Sequence, residues 1–223
     1  MDVNQALSTK QQSMIPIAAF TATGDLDRLK TSMQEGLAAG LTVNEIKEIL
    51  VHLYAYTGFP RSLNGINTLM AVMEERESKG IQDETGKEAS PVPADMDKDE
   101  YGARVRARLA GVETIPPPSG YQLFTPIIDT FLKEHLFADI FARDILDFQS
   151  RELVTISALA SMTGTGGQLL FHLNAAMNTG LSEAQMKDFI AVLESRVSKQ
   201  VAESANEMLS MVLSRRAQSG TES

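Results

Sequence analysis

The sequence predicts an all-α protein made of two tandem helical repeats joined by a long linker. Apolar residues recur at helical spacing along most of the chain, and no segment alternates apolar and polar residues as a half-buried strand would. Residues 148–193 also align with residues 8–53 without a gap, at an offset of 140 positions. Between these copies, Gly80–Ser119 is rich in Pro, Gly and charged residues, which is typical of a connection.

The two copies share residues of structural meaning as well as apolar spacing. Eight positions are identical between residues 14–53 and 154–193, and they include Gly24 with Gly164 and Gly40 with Gly180. Conservative pairs such as Glu48 with Asp188 add to these identities. Ungapped registration of two glycines and an apolar pattern indicates that a helical unit was duplicated.

The first copy is predicted to contain four helices. Ser8 is a candidate N-cap for the first helix, which ends at Thr23-Gly24-Asp25. A second helix is predicted over Leu26–Ala39, and Gly40 follows it where a left-handed residue is expected. Thr42 and Glu45 form a predicted capping box for the third helix, which ends near residues 56–60. The fourth helix is predicted from about residue 61 to residue 79.

The second half repeats this order after the linker. One short helix, Lys98–Leu109, is predicted inside the linker, and helical spacing resumes over Tyr121–Ala142. Ser150 is a candidate N-cap, Ser182 with Gln185 repeats the capping box, and the region after Phe189 is one long helix or two. The predicted division is an N-terminal repeat (1–79), a linker (80–120), a C-terminal repeat (121–216) and a tail (217–223).

Composition excludes several classes of function. The net charge of −9 leaves no basic stripe for nucleic acid or an anionic membrane surface. No apolar run approaches the ~20 residues that cross a bilayer, and the N-terminus lacks the features of a secretory signal, so a cytoplasmic location is expected. The chain has no cysteine, which excludes thiolate chemistry, and its three histidines show no metal-binding spacing.

The stretch RELVTISALAS…GG…HLNAAMNTGLSEAQ, from Arg151 onward, resembles the carboxymuconolactone decarboxylase family. The first copy, GLAAGLTVNEIKEILVHLYAYTGFPRSLNGIN, is similar to the same domain, and residues 131–153 are similar to its lead-in in the lactone-decarboxylating branch. This resemblance implies the all-helical fold of the alkylhydroperoxidase D-like proteins.

The resemblance also implies which residues carry the chemistry. Glu152 and His172 match the family's proton-relay pair, while the cysteine positions of the peroxidase branch fall in Thr163–Gly167, which contains no thiol. In the first copy Gln12 and Ser32 stand at the corresponding positions, and neither titrates near neutral pH. The pair is therefore expected only in the second copy, with His172 as general acid or base and Glu152 as its support.

Other residues are weaker candidates for substrate binding. Arg61 and Arg151 could each hold a carboxylate, and His135 and Tyr56 could line a pocket. Each candidate also has a structural interpretation. Arg61 and His135 could be ordinary surface residues, and Tyr56 could pack in the core. His172 could be a hydrogen-bonded core histidine, and Glu152 could be an acid favoured by the helix dipole. His52 aligns with Val192 and is expected to be structural.

By resemblance, the expected function is decarboxylation of a small carboxylated lactone or a related acid, without metal or organic cofactor. A non-catalytic binding or scaffold protein of the same fold is the alternative, and a redox accessory protein would need a partner's thiol. The resemblance further implies homo-oligomers, trimers or hexamers. If 151–162 and 168–178 form a hairpin, Glu152 lies roughly 16 Å before the turn and His172 about 7 Å beyond it. Direct contact between them then requires an irregular helix, a bridging water or a neighbouring subunit.

Overall fold

Helices account for all the regular structure in residues 7–219, the part of the chain that the computed structural model describes. This confirms the all-α prediction. The elements in order are α1 (Thr9–Thr23), α2 (Leu26–Ala38), α3 (Val43–Ser78), α4 (Lys98–Ala110), α5 (Tyr121–Phe124), α6 (Pro126–Thr130), a π-helix (Phe131–Ile140), α7 (Phe148–Ala160), α8 (Gly166–Asn178), α9 (Glu183–Arg196) and α10 (Lys199–Ser219).

The helices confirm the tandem repeat. With a shift of 140 residues α1 falls on α7, α2 on α8, the first part of α3 on α9, and the rest of α3 on α10. The turns match as well: Gly40 and Gly180 follow α2 and α8 with φ of 92° and 110°, a left-handed conformation that glycine adopts without strain. Thr42 with Glu45 and Ser182 with Gln185 both form the predicted capping boxes.

The two repeats share their hydrophobic cores. Helix α1 packs directly against α7, its counterpart in the other repeat, while α3 packs on α7 and α1 on α9. Ile15 of α1 lies in the core of the second repeat, and Val154 and Ala158 of α7 lie in the core of the first. Burial of apolar surface between α1 and α7 therefore ties the halves together at the centre of the molecule.

A third apolar cluster joins α4, the π-helix and α8. It contains Val105 and Leu109 of α4, Leu136 and Phe137 of the π-helix, and Ala175 of α8. Gly102 allows the backbones of α4 and the π-helix to approach, because a Cβ there would lie 1.9 Å from the Lys133 carbonyl oxygen. The helix predicted at 98–109 is therefore α4, and it packs into the body of the molecule.

The rest of the predicted linker also contacts the first repeat. The Val43 and Asn44 N–H groups at the start of α3 donate to the carbonyls of Glu84 and Thr85, each at 2.9 Å. The Asn44 amide donates to the carbonyl of Lys87 at 3.1 Å. These bonds hold the connection on the N-terminus of α3, and the division into two repeats and a linker stays a prediction.

Several element boundaries differ from the predictions. The break expected near residues 56–60 is a kink inside α3, where Gly58 has φ 79° and ψ 161°. The N-cap of α7 is Asp147 rather than Ser150, because the Asp147 carboxylate accepts the Ser150 N–H. Within the predicted tail, α10 continues to Ser219; residues 220–223, and the start of the N-terminal repeat at 1–6, lie outside the described residues. Across residues 7–219, every helix is too short or too polar to cross a bilayer.

Candidate active site

Glu152 and His172 meet in the interior between α7 and α8. His172 Nδ1 lies 2.8 Å from Glu152 Oε2. The Glu152 side chain is fully buried and 8% of the His172 side chain is exposed. The sequence left open whether these residues touch, and the structure brings them into direct contact within one chain. Helix α7 ends at Ala160 and α8 begins at Gly166, so at ~1.5 Å per residue Glu152 and His172 lie about 12 and 9 Å from those ends.

The contact fixes how the imidazole is presented. A carboxylate can only accept, so Nδ1 carries the proton in this contact. Nε2 makes no hydrogen bond to the described part of the chain, so it is the ring nitrogen that has no protein partner there. The other Glu152 oxygen, Oε1, is buried without a partner there.

Tyr56 of α3 adds a hydroxyl beside this pair. Its ring packs edge-on against His172 with a centroid separation of 5.6 Å, and its buried Oη has no hydrogen-bond partner within residues 7–219. Burial, followed by the nearby charge of Glu152, raises the pKa of Tyr56 well above its usual value. The phenol therefore stays protonated and is available as a hydrogen-bond donor.

A buried ion pair lies next to the Glu–His pair. Arg151, which precedes Glu152, is fully buried, and its Nη2 donates to Glu48 Oε1 at 2.7 Å and to the Arg143 carbonyl at 2.7 Å. Arg143 Nε also donates to Glu48, at 2.9 Å. Glu48 thus compensates Arg151 across the interface between α3 and α7. The predicted role of Arg151 as an anchor for a substrate carboxylate is wrong, because its buried guanidinium is already paired with the Glu48 carboxylate.

His52 completes a closed set of hydrogen bonds around this ion pair. Arg151 Nη1 donates to His52 Nδ1 at 3.2 Å, and His52 Nε2 lies 2.8 Å from Thr155 Oγ1, which donates to the Arg151 carbonyl. Burial, then the charges of Arg151 and His172, lowers the pKa of His52 well below its usual value. His52 is therefore a neutral imidazole with both nitrogens engaged, which fits a structural role.

Comparison with known protein families matches residues 1–69 and 128–209 to the carboxymuconolactone decarboxylase family. The chain belongs to this family. The two matched segments fit a tandem pair of family domains, and the second contains both Glu152 and His172. No curated protein matches the chain.

Two of the residues expected to bind substrate lie away from the Glu–His pair. Half-exposed His135, on the π-helix, places Nε2 against the Tyr54 hydroxyl and Nδ1 3.0 Å from Asp139 Oδ2. Arg61 is exposed on α3 beyond the Gly58 kink. Neither makes a recorded contact with Glu152 or His172, whereas Tyr56 does reach them.

The corresponding positions of the first repeat hold no acid–base pair. Gln12 Nε2 donates to the Leu7 carbonyl at 3.0 Å and lies 3.3 Å from Asp188 Oδ2. Ser32 is buried and makes no hydrogen bond to Gln12. The first repeat therefore has no counterpart of the Glu152–His172 pair.

Glu48 and Thr155 were not among the site residues predicted from the sequence, although the signal for Glu48 was present. Glu48, His52 and Tyr56 follow one another at intervals of four, so they share one face of α3 in an otherwise apolar segment. Such a stripe of polar groups on a core-facing helix needs buried partners. Residues 7–219 bring together no three His, Asp or Glu side chains that could hold a metal ion.

A cleft with a volume of about 420 Å³ lies beside the pair, between α8 and α10. His172 does not line it, but Phe171 does, and the Phe171 ring packs edge-on on the His172 ring at 5.1 Å. A second, shallower cleft on α10 does not include His172 either. The pair is thus separated from the larger cleft by one aromatic ring.

Proposed function

We propose that this family member is a cofactor-free lyase that decarboxylates a small carboxylated lactone or a related acid. The observation that carries the proposal is the buried His172–Glu152 pair, in hydrogen-bond contact in a chain without cysteine. Without thiols the chain cannot catalyse the peroxidase reaction known for this fold by itself, but the Glu152–His172 pair can still transfer a proton.

In the proposed reaction the bond between a ring carbon and the substrate carboxylate breaks, and CO2 leaves. The electron pair of that bond enters the conjugated lactone, and a proton from protonated His172 Nε2 is delivered to carbon. Solvent then returns the proton to the ring. Glu152 holds the imidazole through Nδ1 throughout, so that Nε2 faces the reacting carbon.

Tyr56 is the proposed donor to the substrate. Its hydroxyl is buried and protonated, and it lies near the Thr155 side chain without a well-formed hydrogen bond to it, so a substrate oxygen would satisfy it. His135 and Arg61 stay proposed substrate contacts nearer the surface. The proposal that α1 and α2 carry only a supporting role rests on the neutral Gln12 and Ser32.

The test is turnover of 4-carboxymuconolactone by purified protein, followed as CO2 release and formation of the enol-lactone. His172→Ala should lower kcat by about 10²–10⁴-fold, the usual range for a lost general acid, and Glu152→Gln should lower it as well. Ser32→Ala, at the position equivalent to His172, is the matched control and should keep wild-type activity. Full activity in His172→Ala would defeat the mechanism.

A second candidate is a non-catalytic binding or scaffold protein of the same fold. His172 is only 6% exposed and lines neither of the two clefts described above, which favours this candidate. Wild-type protein that binds carboxylic acids but never releases CO2 from them would support it over the lyase.

We also propose a homo-oligomeric, cytoplasmic protein. Support for assembly comes from large apolar side chains left exposed around α5, α6 and the π-helix, namely Tyr121, Leu123, Phe124, Ile127 and Phe131. Light scattering should report the mass of a trimer or hexamer. A redox accessory role would require a thiol supplied by another protein.

A further inference from the structure

The cleft between α8 and α10 combines apolar walls with two arginines. Gly167, Leu170, Phe171 and Asn174 of α8 line one side, and Val212, Arg215, Arg216 and Ser219 of α10 line the other. Its volume of about 420 Å³ lies within the ~300–1,000 Å³ typical of small-molecule sites. Neither arginine belongs to the Glu152–His172 pair.

Neither arginine has a carboxylate partner within residues 7–219. Most Lys and Arg side chains in residues 7–219 form ion pairs, as expected for a chain with a net charge of −9. The Arg215 guanidinium has no recorded hydrogen bond or ion pair to this part of the chain. Arg216 Nη1 donates to the neutral amide oxygens of Asn174 at 2.7 Å and Asn178 at 2.8 Å. Within the described part of the chain, no carboxylate therefore neutralises the positive charge of the cleft.

The two asparagines also orient Arg216. They occupy Nη1, which leaves the N–H groups of Nε and Nη2 as a planar fork. Such a fork matches the two oxygens of a carboxylate and binds them bidentately. Beside it, the half-exposed Phe171 ring and the Leu170 and Val212 side chains offer apolar surface to the rest of a ligand.

We propose that this cleft binds a small, planar organic carboxylate, with its anionic end on Arg215 and Arg216 and its apolar body on Phe171. Because Phe171 also packs on the His172 ring at 5.1 Å, a ligand here lies one aromatic ring from the Glu–His pair. The further claim that this anion is the substrate on its way to His172 rests on the proposed function; the binding itself does not.

Gly167 offers a way to block the cleft without disturbing the fold. It lines the cleft, and a Cβ added there meets no atom within 4 Å. Gly167 lies in the first turn of α8, where leucine has the better helix propensity. Gly167→Leu should therefore fill the cleft, while the protein keeps its thermal stability.

The experiment is calorimetric titration of the full chain with benzoate and with benzyl alcohol, its uncharged analogue. Wild-type protein should bind benzoate at least tenfold more tightly than benzyl alcohol. Arg215→Ala, which removes no side-chain hydrogen bond or ion pair within residues 7–219, should weaken benzoate binding about tenfold. Arg215→Ala/Arg216→Ala should weaken it about a hundredfold, because charge-assisted bonds are lost. Gly167→Leu should abolish binding. Arg104→Ala, which removes an exposed arginine from α4, is the charge-matched control and should bind like wild type.

Equal affinity for benzoate in wild type and the double variant, or benzoate binding that survives Gly167→Leu, would overturn the proposal. Turnover then separates the two proposals. Benzoate binding without lactone turnover refutes the lyase and leaves this site standing. Turnover with KM unchanged in Arg215→Ala and Gly167→Leu leaves the lyase standing and removes the cleft from the substrate's path.

Discussion

Removing Glu48 should destabilise the protein more than removing any surface carboxylate. Glu48 and Arg151 are 1% and 0% exposed, and Glu48 Oε1 accepts from Arg151 Nη2 at 2.7 Å. In Glu48→Ala the Arg151 guanidinium keeps only neutral partners, the Arg143 carbonyl and His52, and its Nε already has no partner within residues 7–219. An uncompensated buried charge of this kind costs about 3–5 kcal/mol.

The assay is thermal and urea unfolding at pH 7, followed by helical circular dichroism. At about 2–4 °C per kcal/mol for a chain of this size, Tm should fall by about 6–20 °C. Glu183→Ala, which breaks an exposed pair with Lys187, is the control and should cost no more than about 0.5 kcal/mol. Glu48→Leu/Arg151→Met should recover much of the loss, because the unpaired charge is gone. A Glu48→Ala protein as stable as Glu183→Ala would refute the reasoning.

Two further predictions concern stability. Burial lowers the pKa of His52 in the folded state, so as the pH falls the unfolded chain takes up a proton before the folded chain does. The stability that His52 contributes is therefore complete above about pH 6.5 and falls below it by at most about 1.4 kcal/mol per pH unit. Urea unfolding between pH 6.5 and 5 should show this slope in wild type and lose it in His52→Gln; an unchanged slope would contradict it. Gly102→Ala should cost about 1–3 kcal/mol or more, because its Cβ meets the backbone oxygen of Lys133. Gly167→Ala, with open space at its Cβ, should cost nothing in the same thermal scan.

Local features of the fold could be predicted because their causes lie within a few residues. Ser8 with Gln11 and Thr42 with Glu45 form capping boxes whose partners are three positions apart. Gly40 and Gly180 end their helices through their own conformational freedom. The duplication was visible for the same reason, since each copy repeats these local signals.

Features that depend on distant contacts could not be predicted in the same way. The contact between Glu152 and His172 depends on where α7 ends and α8 begins. The observed ends differ from the predicted ones by two or three residues, and this changes the distance of each side chain from the turn by several ångströms. The π-helix at Phe131–Ile140 has no distinguishing local pattern. The Glu48–Arg151 pair joins residues 103 positions apart, so only the polar stripe on α3 indicated it.

The acids at equivalent positions of the two repeats have different neighbours, and only those of the second repeat favour a Glu–His pair. Glu48 and Asp188 occupy equivalent positions, on α3 and α9, and each faces the start of the opposite repeat's first helix. Glu48 faces Arg151, which neutralises it and leaves the neighbouring Glu152 carboxylate free for His172. Asp188 faces Gln12 and the Leu7 N–H, with no arginine in reach. A glutamate at position 12 would place two carboxylates side by side, and such like charges disfavour ionisation of both. Arg151 is fully buried, and by neutralising Glu48 it thus removes the carboxylate charge that would otherwise repel the neighbouring Glu152.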